Sequence, residues 1–339
     1  MQENFIVIGM LAGGVGIFLL AVGMITDGLK MAAGSSLRAI LGRWTRSPAR
    51  GIATGFTITA IVQSSSAITV ATIGFVNAGI LTLNQALGIV FGANIGTTVT
   101  GWLVAIIGFE INISALALPL IGIGMALRLT GGNSRRGAIG TALAGFGLFF
   151  IGIQVLKDAF EGIVATMDVQ RFTLEGVRGL LICLALGFIM TVLTQSSSAA
   201  IAIILTAATG GLLGIYAAGA MVIGANVGTT STAVLSVIGA TANAKRVAGA
   251  HLVFNGVTAV VALLLLPLMF YLVNGIARLL NIEPVPAVSL ALFHTIFNVL
   301  GVVLMLPFIG KLSAMLQKRF TTQEEVLGRA RFLDKNVSE

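Results

Sequence analysis

The sequence has very little charge, and two long blocks have none. Only 9% of the 339 residues are charged, 57% are hydrophobic, and the mean hydropathy is +1.03. No Asp, Glu, Lys or Arg occurs between Arg50 and Glu110, or between Arg178 and Lys245. A water-exposed domain is not built from such blocks, so the sequence predicts an all-α polytopic membrane protein whose solvent is the bilayer.

Groups that support catalysis are scarce as well. The chain has one cysteine, Cys183, in an apolar run, which excludes a disulfide framework. The uncharged blocks hold no Walker motif, no Cys-x-x-Cys pair and no paired carboxylates, so neither ATP hydrolysis nor metal-dependent catalysis has residues to use. We therefore expect no enzyme and no cofactor. The net charge of +8 is interpreted as orienting the chain in the membrane, with no nucleic-acid partner.

What the sequence does contain is a duplication. GFTITAIVQSSSA at 55–67 matches GFIMTVLTQSSSA at 187–199, and GANIGTT at 92–98 matches GANVGTT at 224–230, both at the same offset along the chain. The segments 14–29 and 145–160 are also similar. Repeats at one fixed offset indicate duplicated structural units. The predicted domains are a first repeat at 1–136, a second repeat at 137–276, an additional transmembrane helix at 277–310 and a cytoplasmic tail at 311–339.

Three crossings per repeat, an odd number, would make the second repeat inverted relative to the first. The segments around Gln63 and Gln195 are predicted as re-entrant hairpins, because arms of about 14 residues are too short to span. On this plan one side holds 16 of the 20 Lys and Arg residues, which makes it cytoplasmic, with the N-terminus outside and the C-terminus inside a bacterial inner membrane. The seven predicted crossings are 5–26, 84–108, 112–129, 137–156, 213–240, 247–273 and 287–308.

Each Gln-Ser-Ser-Ser motif is predicted at the turn of its hairpin, where the second arm begins with free amide N–H groups. Such a helix N-terminus attracts anions. Serine hydroxyls can donate to phosphate oxygens or accept a cation, and a glutamine amide can do both. One tetrahedral oxyanion could therefore be shared by both copies, through Gln63, Ser64, Ser65, Ser66, Gln195, Ser196, Ser197 and Ser198.

The Gly-Ala-Asn motifs are predicted to interrupt their helices and to leave an unwound middle with exposed carbonyls. Such carbonyls, with the side chains of Asn94, Thr97 and Thr98 and of their second-copy counterparts, are hard oxygen ligands suited to Na⁺. The alternative for a single Thr is a hydrogen bond to its own helix, and for a glycine pair it is helix packing. Four consecutive polar residues repeated at membrane depth favour a functional interpretation of the Gln-Ser-Ser-Ser motifs.

Two further polar features are interpreted as structural. His251 and His294 each precede an asparagine by four residues, which places each pair on one helical face and favours interhelical hydrogen bonding over a substrate role. Asp27 and Asp158 could bind a cation or sense protons. Because they lie at predicted helix ends beside lysines, capping is the favoured role.

The paired motifs resemble the mark of the type II sodium-phosphate cotransporter family, in which two Gln-Ser-Ser-Ser segments in inverted repeats are each followed by a Gly-Ala-Asn or Gly-Ser-Asn segment. The resemblance covers roughly residues 10 to 310. It implies phosphate contacts from residues 63–66 and 195–198 together with Asn94 and Asn226. It implies Na⁺ contacts from Gln63, Ser66, Asn94, Thr97, Thr98, Gln195, Ser198, Asn226, Thr229 and Thr230.

The predicted function is sodium-coupled symport of inorganic phosphate by alternating access, with Na⁺ as the coupling ion. The uncharged blocks offer no acid to balance Na⁺ and no Arg to balance phosphate, so we expect the two ions to bind with strong positive coupling. An oxyanion channel, a symporter for another tetrahedral oxyanion and a phosphate sensor that does not transport are the alternatives. The oligomeric state stays open, a homodimer included. Bacterial members of the resembled family often carry a soluble domain after the membrane part, and here the tail is expected to be short or truncated.

Overall fold

The computed structural model describes residues 2–43, 45, 47–107, 113–166, 176–281 and 285–321, and within these ranges it is helical and has no strand. A π-helical turn, Leu103–Ile107, follows the helix Leu83–Trp102, and a 3₁₀ turn, Leu306–Phe308, joins the helix Pro286–Met305 to the helix Ile309–Arg319. The helices are α1 (Gln2–Arg43), α2 (Pro48–Val62), α3 (Ser65–Asn77), α4 (Leu83–Trp102), α5 (Ile113–Gly131), α6 (Arg135–Thr166), α7 (Gly176–Thr194), α8 (Ser197–Thr209), α9 (Ile215–Ser236), α10 (Ala242–Leu264), α11 (Leu266–Leu279), α12 (Pro286–Met305) and α13 (Ile309–Arg319).

Seven helical stretches in the described part of the chain are long and apolar enough to cross a bilayer. Their number agrees with the prediction, but the set differs. Helix α7, predicted as a short hairpin arm, has 19 residues because it begins at Gly176, and it qualifies as a span. The predicted crossing at 112–129 corresponds to α5, in which the apolar stretch Leu116–Gly131 is one of the shorter ones. The stretches are Ile6–Gly34, Leu83–Ala105, Arg135–Val164, Gly176–Thr194, Ile215–Ser236, Ala242–Leu264 and Pro286–Arg319.

Two further predicted crossings have different ends. Helix α1 does not stop at Thr26 but continues to Arg43, with a bend at Gly34, whose φ of +50° is readily adopted by glycine. The predicted crossing at 247–273 is divided at Leu265 into α10 and α11. Pro267 in the first turn of α11 accounts for the break, since proline has no N–H to continue a helix.

Helices α1 and α6, the first helices of the two predicted repeats, pack closely through glycines. Gly14 lies against Leu156, and a Cβ at Gly28 would lie 2.6 Å from the backbone nitrogen of Ala142. Because position rises along α1 while it falls along α6, the two helices run antiparallel. Small residues at such a crossing let two backbones approach each other in lipid.

Glycines of the repeated motifs also hold α2 against α4, and the two helices run parallel, since Gly88 lies against Pro48 and Gly96 lies against Thr59. A Cβ at Gly55 would overlap the carbonyl oxygen of Ile89, and a Cβ at Gly92 would overlap that of Ile52. Helices α7 and α9 pack through the corresponding glycines of the second copy. There the overlaps join Gly187 with Met221 and Gly224 with Leu184.

The prediction that the Gly-Ala-Asn segments interrupt their helices is wrong. Helix α4 is continuous from Leu83 to Trp102, and α9 is continuous from Ile215 to Ser236. The glycines are used for packing, and the nearby hydroxyls bond within their own helix. Thr97 Oγ1, for example, donates to the Ala93 carbonyl at 3.0 Å. Such a bond satisfies the hydroxyl while the helix stays intact.

Two hydrophobic clusters form the core. The larger one surrounds α8, which is buried along most of its length, and includes apolar side chains of α1, α6, α9 and α12. The smaller one surrounds α4 and includes side chains of α2, α3, α10 and α13. The two helix turns at the Gln-Ser-Ser-Ser motifs are therefore carried by differently packed parts of the bundle.

Candidate functional site

Each Gln-Ser-Ser-Ser motif makes the turn between two helices, as predicted. Gln63 closes α2 with φ +57° and ψ +29°, and Gln195, between α7 and α8, has φ +51°. This left-handed conformation is uncommon outside glycine and costs on the order of 1 kcal/mol or more. The same costly conformation at the same motif position in both copies points to a constraint beyond chain reversal.

The first serine of each motif caps the helix that follows. Ser64 Oγ accepts a hydrogen bond from the Ala67 N–H at 3.3 Å, and Ser196 Oγ accepts one from the Ala199 N–H at 3.2 Å. Helices α3 and α8 therefore begin at the turns, where the remaining N–H groups of the first turn have no partner within the helix. The positive ends of two helix dipoles lie at these turns.

The glutamine side chains make matching contacts in the two copies. Each amide nitrogen donates to the carbonyl three residues earlier in its own chain. Gln63 Oε1 accepts from Thr100 Oγ1 at 2.8 Å, and Gln195 Oε1 accepts from Thr232 Oγ1 at 3.2 Å. Both threonines lie 37 residues after their glutamine. Each turn is thereby tied to the long helix of its own copy.

Thr100 also connects the two copies. Its Oγ1 lies 3.2 Å from Ser198 Oγ, across a wide sequence separation. Gln63, Thr100 and Ser198 line a narrow pocket of about 10 Å³ whose other lining side chains include Phe146 and Phe149. The polar turns therefore end against a largely apolar wall.

The two turns line one open cavity of about 180 Å³. All eight Gln-Ser-Ser-Ser residues predicted to bind phosphate lie in its lining. The lining residues are Val22, Gly23, Thr26, Asp27, Gln63, Ser64, Ser65, Ser66, Gln195, Ser196, Ser197 and Ser198.

The expected capping role of Asp27 at a helix end is wrong. Helix α1 continues to Arg43, so Asp27 lies inside the helix and lines the cavity. Among the described residues of that lining, Asp27 alone is charged. The same prediction is wrong for Asp158, its counterpart in the second repeat, which lies inside α6. Asp158 is absent from the lining and accepts a hydrogen bond from Gln154 Nε2 at 2.7 Å.

The six predicted ligands from the Gly-Ala-Asn motifs are buried in α4 and α9 and do not line this cavity. Asn94 Nδ2 donates to the Val90 carbonyl at 2.9 Å, and Asn226 Nδ2 donates to Asn255 Oδ1 on α10 at 2.6 Å. The hydroxyls of Thr97, Thr98, Thr229 and Thr230 donate to carbonyls of their own helices. Ion binding by these six residues stays a prediction.

Interhelical hydrogen bonding near the histidines is confirmed for Asn255, through its bond to Asn226. The histidine rings do not take part in the same way. His251 Nδ1 and both ring nitrogens of His294 are buried and have no hydrogen-bond partner in the described part of the chain. Each histidine contributes its backbone carbonyl to the asparagine four residues later.

Thr100 and Thr232 were not predicted to belong to the site, and for Asp27 cation binding was only the less favoured alternative. The two threonines are separated by the offset of the repeat, so the motif alignment could have been extended to include them. Asp27 has no such signal, because its place in the cavity depends on the length of α1.

A multi-pass helical bundle that gathers two polar helix turns at one open cavity has the architecture of a membrane transporter. Comparison with known sequences agrees with this class. The profile described as Na⁺/Pi-cotransporter matches residues 17–158. The chain belongs to the Na⁺/Pi-cotransporter family, which confirms the resemblance found from the motifs.

Several relatives are similar over most of the chain. YqeW of Bacillus subtilis (strain 168), an uncharacterised protein, is 32% identical over 295 residues, which are 86% of this chain and 91% of YqeW. YjbB of Escherichia coli (strain K12), provisionally named an inorganic phosphate export protein, is 30% identical over 291 residues, 86% of this chain. The match covers 51% of YjbB, so the chain spans about half the length of that relative.

A shorter similarity extends to a mammalian protein. The sodium-dependent phosphate transport protein 2A of Ovis aries is 41% identical over 59 residues, which are 17% of this chain and 9% of that protein. No solved structure matches the chain at a significant level.

Proposed function

We propose that the protein is a sodium-coupled symporter of inorganic phosphate that works by alternating access in a bacterial inner membrane. Phosphate and Na⁺ would bind in the cavity between the two Gln-Ser-Ser-Ser turns. The observation that carries the proposal is that these turns, which belong to different copies of the repeat and lie far apart in sequence, line a single cavity.

The chemistry of the cavity suits a tetrahedral oxyanion. The N-termini of α3 and α8 offer positive dipole ends and amide donors. Hydroxyls of Ser65, Ser66, Ser197 and Ser198 add further donors. Phosphate, among oxyanions of this shape, is supported by the names of YjbB and of transport protein 2A.

Sodium coupling is supported by charge and by one relative's name. Among the described residues that line the cavity there is no Lys or Arg to balance an anion, so a bound cation would supply that charge. A ligand that supplies charge for another raises its affinity, and the effect is reciprocal. Transport protein 2A is named as sodium-dependent.

An inverted pair of repeats is supported by the antiparallel packing of α1 and α6, since inversion requires their first helices to run in opposite directions. The re-entrant form of the first hairpin is supported by α2 and α3, of 15 and 13 residues. For the second hairpin, α7 of 19 residues could span, and only α8 of 13 residues is short. The proposed orientation, N-terminus outside and C-terminus inside, rests on the distribution of Lys and Arg.

The test is uptake of radiolabelled phosphate into proteoliposomes under an inward Na⁺ gradient and under a matched K⁺ gradient. We expect accumulation above equilibrium with Na⁺ only. Since YjbB is named for export, loaded vesicles with an outward Na⁺ gradient should release phosphate in the same coupled way.

Unlabelled sulfate in excess serves as the specificity control and should leave phosphate uptake unchanged. Phosphate flux that is downhill and indifferent to Na⁺ would contradict the proposal and favour a channel. Phosphate binding without flux in either direction would favour a sensor.

A further inference from the structure

Asp27 is chemically unlike the rest of the cavity lining. The other eleven lining residues are neutral, and eight of them belong to the two Gln-Ser-Ser-Ser turns. Asp27 is exposed, and it has neither a hydrogen-bond nor an ion-pair partner among the residues that the structure describes. A carboxylate that forms no ion pair within the described residues therefore lines a cavity otherwise built of hydroxyls, amides and helix N-termini.

A carboxylate in this position opposes the binding of an anion. Like charges that share one cavity repel each other. If phosphate were the only ligand, Asp27 would lower its affinity. The conflict disappears when a cation lies between the carboxylate and the phosphate.

We infer that Asp27 is a Na⁺ ligand of the cavity, and that through it phosphate affinity becomes conditional on Na⁺. Carboxylate and hydroxyl oxygens are ligands that hard cations prefer. The hydroxyl of Thr26 and those of the motif serines lie in the same lining and complete an oxygen-rich environment. This inference rests on the proposed function and names the side chain that gives it its sodium dependence.

With Asp27 in the cavity, the charge balance of the site differs from the one expected from the sequence. The two uncharged blocks have no acid to balance Na⁺, but α1, which precedes the first block, brings one into the cavity. The second repeat does not bring another, since Asp158 lies outside the lining and bonds to Gln154. The site is therefore asymmetric in charge, with one protein carboxylate shared by two otherwise matched turns.

The test compares Asp27→Asn with Asp158→Asn. Asparagine keeps the size of the side chain and removes its charge, and at position 158 it can still accept from Gln154. Two quantities are measured: equilibrium binding of labelled phosphate to purified protein with and without Na⁺, and the Na⁺ concentration for half-maximal uptake in proteoliposomes.

For Asp27→Asn we expect phosphate affinity without Na⁺ to rise at least threefold, because the repulsion is gone. The gain in affinity on adding Na⁺ should shrink at least tenfold, and half-maximal uptake should need at least tenfold more Na⁺. Asp158→Asn should stay within twofold of the wild type in all three quantities. Asp27→Glu, which restores the carboxylate, should recover part of the Na⁺ effect on binding.

Binding and uptake together separate this inference from the proposed function. Na⁺-driven uptake with an unchanged Na⁺ dependence in Asp27→Asn would overturn the inference and leave the symporter intact. Na⁺-dependent phosphate binding that Asp27→Asn removes, in a protein that moves no phosphate, would overturn the symporter and support the inference. Equal effects of Asp27→Asn and Asp158→Asn would also overturn the inference about Asp27. A thermal unfolding scan of each variant is the control for misfolding.

Discussion

The two Gln-Ser-Ser-Ser turns have the same local structure but different surroundings. Both hold a left-handed glutamine, a serine cap and a threonine contact 37 residues later. Gln63 is only 9% exposed, whereas Gln195 is exposed. The motif therefore determines the turn, and the packing of the rest of the bundle determines how each turn meets the cavity.

The difference arises from the helices behind the turns. Thr100 of the first copy reaches across to Ser198 of the second, but no matching bond joins Thr232 to Ser66 among the described residues. A duplicated transporter is expected to hold its two halves in unequal states at any one moment and to exchange them during the cycle. The unequal burial of Gln63 and Gln195 agrees with one state of such a cycle.

The largest effect should come from the packing glycines, and it should be equal in the two copies. In Gly92→Val and Gly224→Val the new side chain would overlap a carbonyl of the neighbouring helix, and a backbone cannot move aside as a side chain can. We expect loss of several kcal/mol of stability and of most folded protein. Yield of the monodisperse peak in size-exclusion chromatography measures the loss.

Gly256→Val is the matched control, because nothing lies within 4 Å of a Cβ at this position of α10. It should give a normal yield. A normal yield of Gly224→Val alone would mean that the two copies do not depend on the same close packing.

The next effect concerns the glutamines, whose side chains should matter equally for transport and unequally for stability. Gln63→Ala and Gln195→Ala should each lower phosphate uptake at least tenfold, since both line the cavity. Gln63→Ala should also lower stability by about 1 to 3 kcal/mol, because buried Thr100 loses its acceptor. Uptake and thermal unfolding are compared in one preparation.

Gln63→Gly and Gln195→Gly separate the side chain from the turn, since glycine adopts the left-handed conformation without strain. They should be more stable than the alanine variants and equally inactive. Active glycine variants would show that the turn alone, without the amide, is sufficient for transport.

Particular residues show which parts of the structure can be predicted from the sequence. The turns at Gln63 and Gln195 were predictable, because four consecutive polar residues in an apolar block need hydrogen-bond partners. A turn at the end of a helix provides such partners. The number of apolar spans was predictable because hydropathy reports burial in lipid directly. The start of α7 at Gly176 was not, since the apolar run alone does not separate a hairpin arm from a span.

The unbroken helix α4 could not be predicted for a different reason. Thr97 and Thr98 are compatible with an unwound segment that binds ions and also with hydroxyls that bond their own helix, and only the packing of Gly92 against Ile52 decides between them. The position of Asp27 in the cavity depends on α1, which continues as a helix past its apolar stretch. For α4 a contact between distant segments, Gly92 against Ile52, overrides the local pattern.

A smaller effect should distinguish Thr100 from Thr232. Thr100→Val leaves both Gln63 Oε1 and Ser198 Oγ without a contact in a buried place, which should cost about 1 to 3 kcal/mol. Thr232→Val removes one 3.2 Å bond to an exposed glutamine and should cost under about 1 kcal/mol. Thermal unfolding in one detergent measures both, and Thr→Ser at each position, which keeps the hydroxyl, is the control. Equal costs would contradict the asymmetry of the two turns.

The smallest effect should again be the same in both copies, because it concerns the local turn alone. Ser64→Ala and Ser196→Ala each remove a capping hydrogen bond. The two bonds have nearly equal lengths, 3.3 and 3.2 Å. Each should cost about 1 kcal/mol, whereas Ser→Gly should cost only a few tenths. A clear difference in thermal unfolding between the two alanine variants would mean that the packing around each turn changes the stability contributed by its cap. The motif alone would then no longer account for the turn.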